Sequence, residues 1–419
     1  MQPLRGTKDI LPSDIQLWQK IYEVSKDLFN EYNYEEIRTP IIENTELFKR
    51  SIGNLTDIVN KEMYSFNDQG SRRITLRPEG TSSVARAIIS NKIHLNNKMN
   101  RLWYLGPMFR YERPQKGRQR QFHQLGIECT GSDRPLADAE VIKLAIRVLR
   151  KLDCYEGCKL EINSIGNIQE REVYTNELKN YLRKYINELD EDSQKRVSKN
   201  PLRILDTKDQ KTQEILQGAP LLNEYLSMIS LRHFTEVCET LEYLNIDYSI
   251  NHHLVRGLDY YNYTAFEIKT DSHSQQNTIC GGGRYDGLTK QLGGPLIPAV
   301  GWAIGIERLI MLMEKQIRIK ITNRTIYIAT QKLERSYYVC DVINTLNKYH
   351  LKFDLDINNN DISKKIKKAS QLGVEVCFIL GQKEIDSKSL TIKWMKTNKT
   401  QLIRLDYLKE YIHYLSKVI

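Results

Sequence analysis

Basic residues gather in one short segment of this sequence, between Arg110 and Arg120. The segment contains five lysines and arginines but a single acid, Glu112. The basic residues are Arg110, Arg113, Lys116, Arg118 and Arg120. Because guanidinium groups pair bidentately with phosphate oxygens, the segment predicts a loop that binds ATP phosphates, a nucleic-acid backbone or both. A solvated hairpin tip is the alternative.

A polar strand face follows this loop. The alternation of the sequence places Phe122, Gln124, Gly126 and Glu128 on one face and Leu125, Ile127 and Cys129 on the other. Glu79, at the end of another predicted strand, adds a second carboxylate. Fixed acceptors of this kind can take the protons of an ammonium group and of an imidazole, so the pattern predicts a site for a cationic or amphoteric small molecule. Alternatively, these acids are exposed or neutralise neighbouring arginines.

Common nucleotide-binding and hydrolase motifs are missing from the sequence. Gly126 and Gly131 have P-loop spacing, but Ser132 and Asp133 follow where Lys and Ser/Thr are required. The glycines at 281–283 and 287 miss the dinucleotide-binding spacing by one residue. Neither H-E-x-x-H nor G-x-S-x-G occurs. The sequence therefore gives no support to P-loop, Rossmann, metalloprotease or α/β-hydrolase chemistry.

Composition sets the broad class of protein. The 419 residues favour two to three domains, and 62 Lys+Arg against 52 Asp+Glu give a net charge of +10, which favours an anionic partner. No apolar stretch is long enough to span a bilayer, and no signal segment is expected at the N-terminus. The 7 scattered cysteines indicate reduced thiols in a cytosol-like compartment, and no protein-bound metal is expected.

Periodicity predicts the elements that would position these residues. A helix is expected over 13–32 with Ser13 as its N-cap, an extended segment over 36–43 with Pro40 inside it, a strand over 72–79 and a helix over 81–91. Since proline lacks a ladder donor, the Pro40 strand must lie at an edge or an interface. Strands 102–109 and 122–129 form an antiparallel hairpin, and a helix follows over 137–152.

The second half of the chain changes character twice. Residues 166–244 are polar and helical in pattern, as expected of an insertion or a helical subdomain, and strand signals return over 248–306. Beyond Arg324, strands over 325–329, 353–357 and 374–380 alternate with helices, one of them over 362–372, which predicts a separate α/β domain. The predicted fold is thus α+β, with domains at 1–318 and 324–419.

Five segments resemble histidyl-tRNA synthetases, a family of class II aminoacyl-tRNA synthetases. They are TLRPEGT (75–81), LGPMFRYERPQKGRQRQFHQLGIE (105–128), LVRGLDYYNYTAFE (254–267), GGGRYDGL (281–288) and GWAIGIERL (301–309), after an opening RGTKDILP (5–12). RGLDYY and GGGRYDGL separate this family from other class II synthetases. The resemblance implies an antiparallel catalytic sheet with flanking helices, the helical insertion and a C-terminal α/β anticodon-binding domain. It also implies a homodimer, with the segment 38–43 at the subunit interface.

The resemblance implies that the reaction joins L-histidine to tRNA(His) at the expense of ATP, with Mg²⁺ on the ATP phosphates. Histidine would be bound by Glu79, Thr81, Gln124, Glu128, Tyr260, Tyr261 and Tyr285. Tyr260 could instead simply pack on the sheet. No editing domain is expected, because a site that bonds both imidazole nitrogens rejects other amino acids strongly.

For ATP, the resemblance implies that Arg110 and Arg256 flank the α-phosphate and are the catalytic pair. Glu112 and Arg118 would approach ATP, and Arg308 would hold the γ-phosphate. Gln115 and Arg120 would contact the tRNA acceptor end.

Two alternatives remain open at this point. Paralogues of the family serve as regulatory subunits of ATP phosphoribosyltransferase, but they lack the C-terminal domain and have eroded motifs; a generic tRNA-binding protein would not need a histidine pocket. Lysines 364, 365, 367 and 368 fall on a predicted helix, either as a solvated face or as contacts to the tRNA backbone. The compartment is a bacterial cytoplasm or, for an organelle-encoded protein, the plastid stroma.

Overall fold

The computed structural model describes residues 1–54, 56–96, 99–115, 117–270, 277–316, 326–331, 337–358 and 361–418. Lys116 of the basic loop, Thr325 of a predicted strand, and the predicted domain boundaries at 318 and 324 lie outside these residues. The chain divides into two compact units, Met1–Arg318 and Ile319–Ile419. No helix in the described ranges is both long and apolar enough to cross a membrane.

The first unit consists of a large sheet, a small sheet and helices. Its strands are β1 Glu35–Glu36, β2 Ile42–Asn44, β3 Tyr64–Asn67, β4 Arg73–Leu76, β5 Asn100–Phe109, β6 Gln121–Thr130, β7 Cys158–Ser164, β8 Ser249–Ile250, β9 Asn262–Thr270, β10 Thr278–Arg284 and β11 Ala299–Gly305. Its helices are α1 Pro12–Glu31, α2 Thr45–Ile52, α3 Thr81–Ser90, α4 Ile93–Asn96, α5 Pro135–Lys151, α6 Ile168–Lys184, α7 Glu191–Lys199, α8 Gln210–Leu216, α9 Met228–Tyr243, α10 Leu288–Gln291 and α11 Ile306–Gln316.

The large sheet contains the predicted hairpin as its second and third strands. Within the described part of the chain its strand order is β1-β5-β6-β11-β10-β9-β7-β8, antiparallel except for the outer pairs β1–β5 and β7–β8. In the hairpin, Tyr104 pairs with Gly126 and Leu102 with Glu128. The apolar face of β6 is fully buried among α1, α5 and α11, and Trp302 fixes α5 by donating its indole N–H to the Val141 carbonyl. The opposite, polar face is therefore left to line a site.

The structure corrects two predictions near the N-terminus. Helix α1 begins at Pro12, and its N-cap residue, Leu11, provides no side-chain hydrogen bond, so Ser13 is not the cap. Proline suits the first helical turn because the missing N–H would have had no intrahelical acceptor. Pro40 lies between β1 and β2, outside any strand, where the chain leaves the large sheet for the small sheet β2-β4-β3.

Between residues 166 and 244 every described regular element is helical. Helices α6 to α8 and the short 3₁₀ turns Ile186–Glu188, Pro201–Ile204 and Leu222–Tyr225 share a core with Tyr260, Tyr261 and Tyr285. Helix α9 instead packs against α5 in the main core through Val237 and Leu241. The inserted part that approaches the polar face is therefore shorter than the predicted interval.

The second unit has parallel strands with helices and an antiparallel edge. Its elements are β12 Ile326–Thr330, α12 Tyr337–Lys348, β13 Phe353–Asp356, α13 Ile362–Gln371, β14 Val376–Leu380, α14 Gln382–Asp386, β15 Ser389–Trp394, β16 Thr400–Arg404 and α15 Leu408–Val418. Strands β13, β12 and β14 are parallel, and β15 and β16 add an antiparallel pair that the sequence patterns did not predict. Lys365 is buried and donates to the carbonyls of Thr330 and Asp356, so it is not on the solvated face with Lys364, Lys367 and Lys368.

Candidate active site

A cleft of about 900 Å³ opens on the polar face of the large sheet. Ten of the predicted site residues line it: Glu79, Thr81, Arg110, Glu112, Arg118, Gln124, Arg256, Tyr260, Tyr261 and Arg308. Glu128 and Tyr285 lie beneath its floor, where Glu128 contacts Thr81. The structure thus brings into one cleft residues from segments that are more than 200 positions apart in sequence.

Glu128 is the most deeply buried acid of the predicted set. It is 1% exposed and accepts hydrogen bonds from the hydroxyl groups of Thr81, at 2.7 Å, and of Tyr285. Burial raises the pKa of Glu128 to about 8, although the hydrogen bonds from Tyr285 and Thr81 act in the opposite direction. At neutral pH this carboxyl group is therefore mostly protonated. A ligand N–H that donates to it would favour its ionised form.

Glu79 and Thr81 are tied to each other and to Glu128. The two carboxylate oxygens of Glu79 accept the backbone N–H groups of Thr81 and Ser82, at 2.7 and 2.8 Å, at the start of α3. The carboxylate therefore satisfies donors at the helix N-terminus that have no intrahelical acceptor. Gln124 Oε1 is buried and has no hydrogen-bond partner among the described residues. These acceptors converge on the inner end of the cleft.

Aromatic rings wall the inner end. The ring centroids of Tyr260 and Tyr261 are 4.6 Å apart, and those of Tyr260 and Tyr285 are 5.6 Å apart. Tyr104, which we did not predict, is buried against Gly80 and Gly126, where an added Cβ would collide with its ring. The sequence could have indicated Tyr104, because it follows the alternation of β5 and lies directly opposite Gly126 in the hairpin.

Arg256 lies against the strand β10 beside the cleft. Its guanidinium pairs with Glu267 on β9, which in turn accepts from the Thr278 hydroxyl at 3.0 Å, and its Nε is buried without a hydrogen-bond partner among the described residues. Burial alone would lower the pKa of Arg256, but Glu267 and the neighbouring tyrosines raise it overall. Glu267 was not predicted as a site residue; the signal for it was a single acid in strand β9, between the apolar residues Phe266 and Ile268.

Three further arginines point positive charge into the cleft. Arg110 donates from Nε to the Pro78 carbonyl at 2.9 Å, and Arg308 donates to the Thr278 carbonyl at 2.6 Å. Arg118 pairs with Glu112. Burial lowers the pKa of Arg110 and of Arg308, and the nearby positive charge of Arg256 adds to this for Arg110. Mutual repulsion of this kind favours a polyanionic ligand such as a triphosphate.

The two residues predicted for the tRNA acceptor end lie outside the cleft lining. Gln115 is exposed and exchanges backbone hydrogen bonds with Arg118 at the tip of the loop. The Arg120 guanidinium lies 3.8 Å from the ring centroid of Tyr111, and its Nε donates to the Glu112 carbonyl. Arg120 therefore braces the loop from within, while Gln115 stays available at its tip.

Comparison with known proteins identifies the family of this chain. Residues 6–309 match the family model for histidyl-tRNA synthetase, and residues 319–415 match an anticodon binding domain. The chain belongs to the histidyl-tRNA synthetase family. It is an ATP-dependent aminoacyl-tRNA ligase, and the predicted α+β class II fold with its C-terminal domain is confirmed.

Relatives are similar over nearly their whole length. The chloroplastic histidine–tRNA ligase of Gracilaria tenuistipitata var. liui is 57% identical over 99% of this chain and 95% of its own. That of Rippkaea orientalis is 47% identical, covering 96% and 94%. The apo histidyl-tRNA synthetase of S. aureus has a TM-score of 0.81 and 36% identity, covering 98% of this chain and 99% of the other.

Gly281 of the synthetase provides a test of how Arg256 is seated. A Cβ at this position would lie 2.7 Å from Arg256 Nη1 and 2.8 Å from its Cζ. The Arg256 side chain can move away while the backbone stays, so Gly281→Ala should lower histidine-dependent pyrophosphate exchange about tenfold or more and change the melting temperature little.

The matched control is Gly287→Ala in the same segment, where an added Cβ meets nothing within 4 Å. We expect this variant to keep the wild-type exchange rate. Equal rates for the two alanine variants would show that the close contact between Gly281 and Arg256 does not matter.

Proposed function

We propose that this cleft activates L-histidine with ATP and transfers it to the 3′ end of tRNA(His), releasing pyrophosphate and AMP. One observation carries the proposal: buried acceptors suited to a histidine zwitterion and clustered arginines suited to a triphosphate face the same cleft. Glu79, Thr81 and Gln124 would bind the α-amino group, and Glu128 with Tyr261 the imidazole. Tyr285 and Tyr260 would close the pocket around the ring.

Arg110 and Arg256 would act on the phosphate that reacts. The histidine carboxylate attacks the α-phosphorus in line, and the main barrier is charge that develops on non-bridging oxygens. Two guanidinium groups stabilise that charge, and no general base is needed because the nucleophile is already an anion. Arg308 would hold the γ-phosphate, with Glu112 and Arg118 near the nucleotide. Gln115 and Arg120 would serve the acceptor end of the tRNA, Arg120 by bracing the loop.

Mg²⁺ would enter with the ATP phosphates. The residues of the cleft fit an ion that arrives with ATP better than an ion bound permanently by the protein. Glu267, the acid beside Arg256, already accepts from Arg256 and Thr278. Within the described residues, no three His, Cys, Asp or Glu side chains are grouped as a metal site. The ion would supply charge neutralisation at the leaving pyrophosphate.

Histidine-dependent exchange of pyrophosphate into ATP tests the proposal directly. The purified protein should catalyse the exchange with histidine and not with the other amino acids, and it should charge tRNA(His) when tRNA is added. Absence of exchange in folded protein would favour a regulatory role, as in the 21% identical neighbour described as an ATP phosphoribosyltransferase regulatory subunit/histidyl-tRNA synthetase, which shares the fold.

We also propose that the enzyme is a homodimer joined through the segment 38–43. Ile41 and Ile42 in this segment and Phe66 on β3, on the other side of β4 in the small sheet, are large apolar side chains exposed by 41%, 50% and 48%. Such an apolar patch next to a short sheet edge suits a second copy of the same surface.

Ile42→Glu should therefore shift the protein from dimer to monomer, measured by sedimentation velocity. Its charge would be buried without a partner at a two-fold interface, so we expect the dimer to associate more weakly, with a Kd that rises tenfold or more, about 1.4 kcal/mol. Leu402→Glu, at an exposed apolar position in the second unit, is the control. A dimer as tight as the wild type in Ile42→Glu would contradict the proposed interface.

The domain boundaries, the C-terminal lysines and the compartment complete the proposal. Residues 1–318 would form the catalytic domain and 324–419 the anticodon-binding domain, in which Lys364, Lys367 and Lys368 would contact the tRNA backbone. We propose the plastid stroma as the compartment, because chloroplastic relatives reach 57%, 50% and 48% identity and cyanobacterial ones 47%. A bacterial cytoplasm is the alternative.

A further inference from the structure

Two arginines of the helical insertion hold the loop that follows Arg256. Arg203, in the turn Pro201–Ile204, donates from Nη2 to the Gly257 carbonyl at 2.8 Å. Arg171, on α6, donates to the carbonyls of Asp259, at 3.3 Å, and of Tyr261. The two guanidinium groups thus take the carbonyls of every second residue along the loop.

The opposite side of the same loop is attached to the catalytic body. The Asp259 N–H donates to the Ile52 carbonyl at the end of α2, and Asp259 packs so closely on Gly53 that a Cβ there would collide with it. The loop 257–261 is therefore clamped between the body and the insertion. Hydrogen bonds from charged groups are among the stronger ones in proteins, so the insertion side of the clamp helps to hold the loop in place.

The clamped carbonyls are next to the side chains that face the substrates. Gly257 directly follows Arg256, and Tyr261 itself lines the cleft next to Tyr260. Arg203 also approaches Gly257 from the side, since a Cβ at Gly257 would lie 3.2 Å from its Nη2. A shift of either guanidinium would move the backbone from which Arg256 or Tyr261 extends.

We propose that Arg171 and Arg203 are positioning residues for histidine activation: the helical insertion places Arg256 through Arg203 and the histidine pocket through Arg171. Arg171 lies outside the cleft lining, and Arg203, which does line the cleft, acts in this scheme by holding the Gly257 carbonyl. The inference rests on the proposed roles of Arg256 and Tyr261, and it makes the insertion necessary for the adenylation step even when no tRNA is present.

A split between kcat and KM tests the proposal, using pyrophosphate exchange by the full-length enzyme without tRNA. Arg203→Gln should lower kcat about tenfold with little change in the KM for histidine, because it loosens the backbone next to Arg256. Arg171→Gln should raise the KM for histidine about tenfold, because it loosens Tyr261. Arg183→Gln, an exposed arginine on α6, is the matched control and should behave like the wild type.

A double-mutant cycle separates this inference from the proposed function. Arg203→Gln should cost much less in an Arg256→Ala background than in the wild type, because both changes act through one guanidinium. If Arg256→Ala alone leaves the rate unchanged, the proposed role of Arg256 is wrong. If Arg256→Ala is slow but Arg203→Gln and Arg171→Gln keep wild-type kinetics and lose only melting temperature, the arginines are structural and the inference is overturned.

Lysine variants decide the matter if the glutamine variants do not fold. A lysine has a single side-chain nitrogen and cannot reproduce the fixed fork in which two separate nitrogens of Arg171 reach two carbonyls, so Arg171→Lys should give a KM for histidine between those of the wild type and Arg171→Gln. Wild-type kinetics in both Arg171→Lys and Arg203→Lys would overturn the proposal.

Discussion

Arg256→Ala should slow histidine-dependent pyrophosphate exchange on the order of a hundredfold or more and leave the affinity for tRNA nearly intact. The guanidinium is buried at the cleft, its Nε has no hydrogen-bond partner among the described residues, and Glu267 holds its other end in place. Such a donor is preorganised for charge that develops only in the transition state. The loss should therefore appear mainly in kcat.

Two further variants make this result specific. Glu267→Gln keeps the shape of the side chain but weakens the hold on Arg256, so an intermediate rate is expected. Arg232→Ala removes an exposed arginine that pairs with Glu236 on α9 and should keep the wild-type rate. An unchanged exchange rate in Arg256→Ala would remove this residue from its proposed role at the α-phosphate.

Glu128→Gln should weaken the apparent affinity for histidine about ten- to a hundredfold, because a neutral amide replaces the carboxylate that we propose accepts the imidazole N–H. The KM for histidine of the wild type should fall as pH rises toward about 8, where Glu128 ionises. The KM of the variant should lack this part of the pH dependence. Exchange assays as a function of histidine concentration and pH measure both effects.

The same substitution should stabilise the fold at high pH. The pKa of Glu128 is about 8 in the folded protein and has an ordinary value of 4.5, so between these values the folded state binds more protons than the unfolded state. The free energy of unfolding therefore falls as pH rises through this window because of Glu128. The stability of Glu128→Gln relative to the wild type should rise from pH 5 to pH 9, roughly the span of that window.

Denaturant titrations at several pH values measure this difference, with Glu156→Gln as a control at an exposed glutamate. The control should show a constant offset from the wild type. A constant offset in Glu128→Gln as well would contradict the raised pKa of the buried carboxyl, and an unchanged KM for histidine would take Glu128 out of the imidazole site.

Local patterns predicted the hairpin well. Strands expected over 102–109 and 122–129 occur as Asn100–Phe109 and Gln121–Thr130, because strict alternation places one face in the core whatever the rest of the chain does. The same logic located Gln124 and Glu128 on the polar face. It failed at Pro40, because two neighbouring extended segments belong to different sheets and nothing local records which partner each one pairs with.

Burial of charged side chains was less predictable. Arg284 lies within the predicted segment GGGRYDGL, yet it is 1% exposed and forms a buried ion pair with Asp138 on α5, so it holds the helix to the sheet. Lys365 is likewise buried among three exposed lysines. Helical spacing alone could have placed Lys365 on the inner face of α13. Its acceptors, the carbonyls of Thr330 and Asp356, lie on the strands β12 and β13, which the spacing of α13 does not reveal.

The sequence by itself determined the family and the α+β class and predicted the residues proposed for histidine and ATP, because motif order and strand alternation are properties of the linear chain. Only the tertiary structure decided that Glu267 holds Arg256, that Tyr104 packs against Gly80 and Gly126, and that Arg171 and Arg203 reach the loop 257–261 from the insertion. These contacts join residues far apart in sequence or on different elements. Packing of one element on another sets them, and no local pattern encodes that packing.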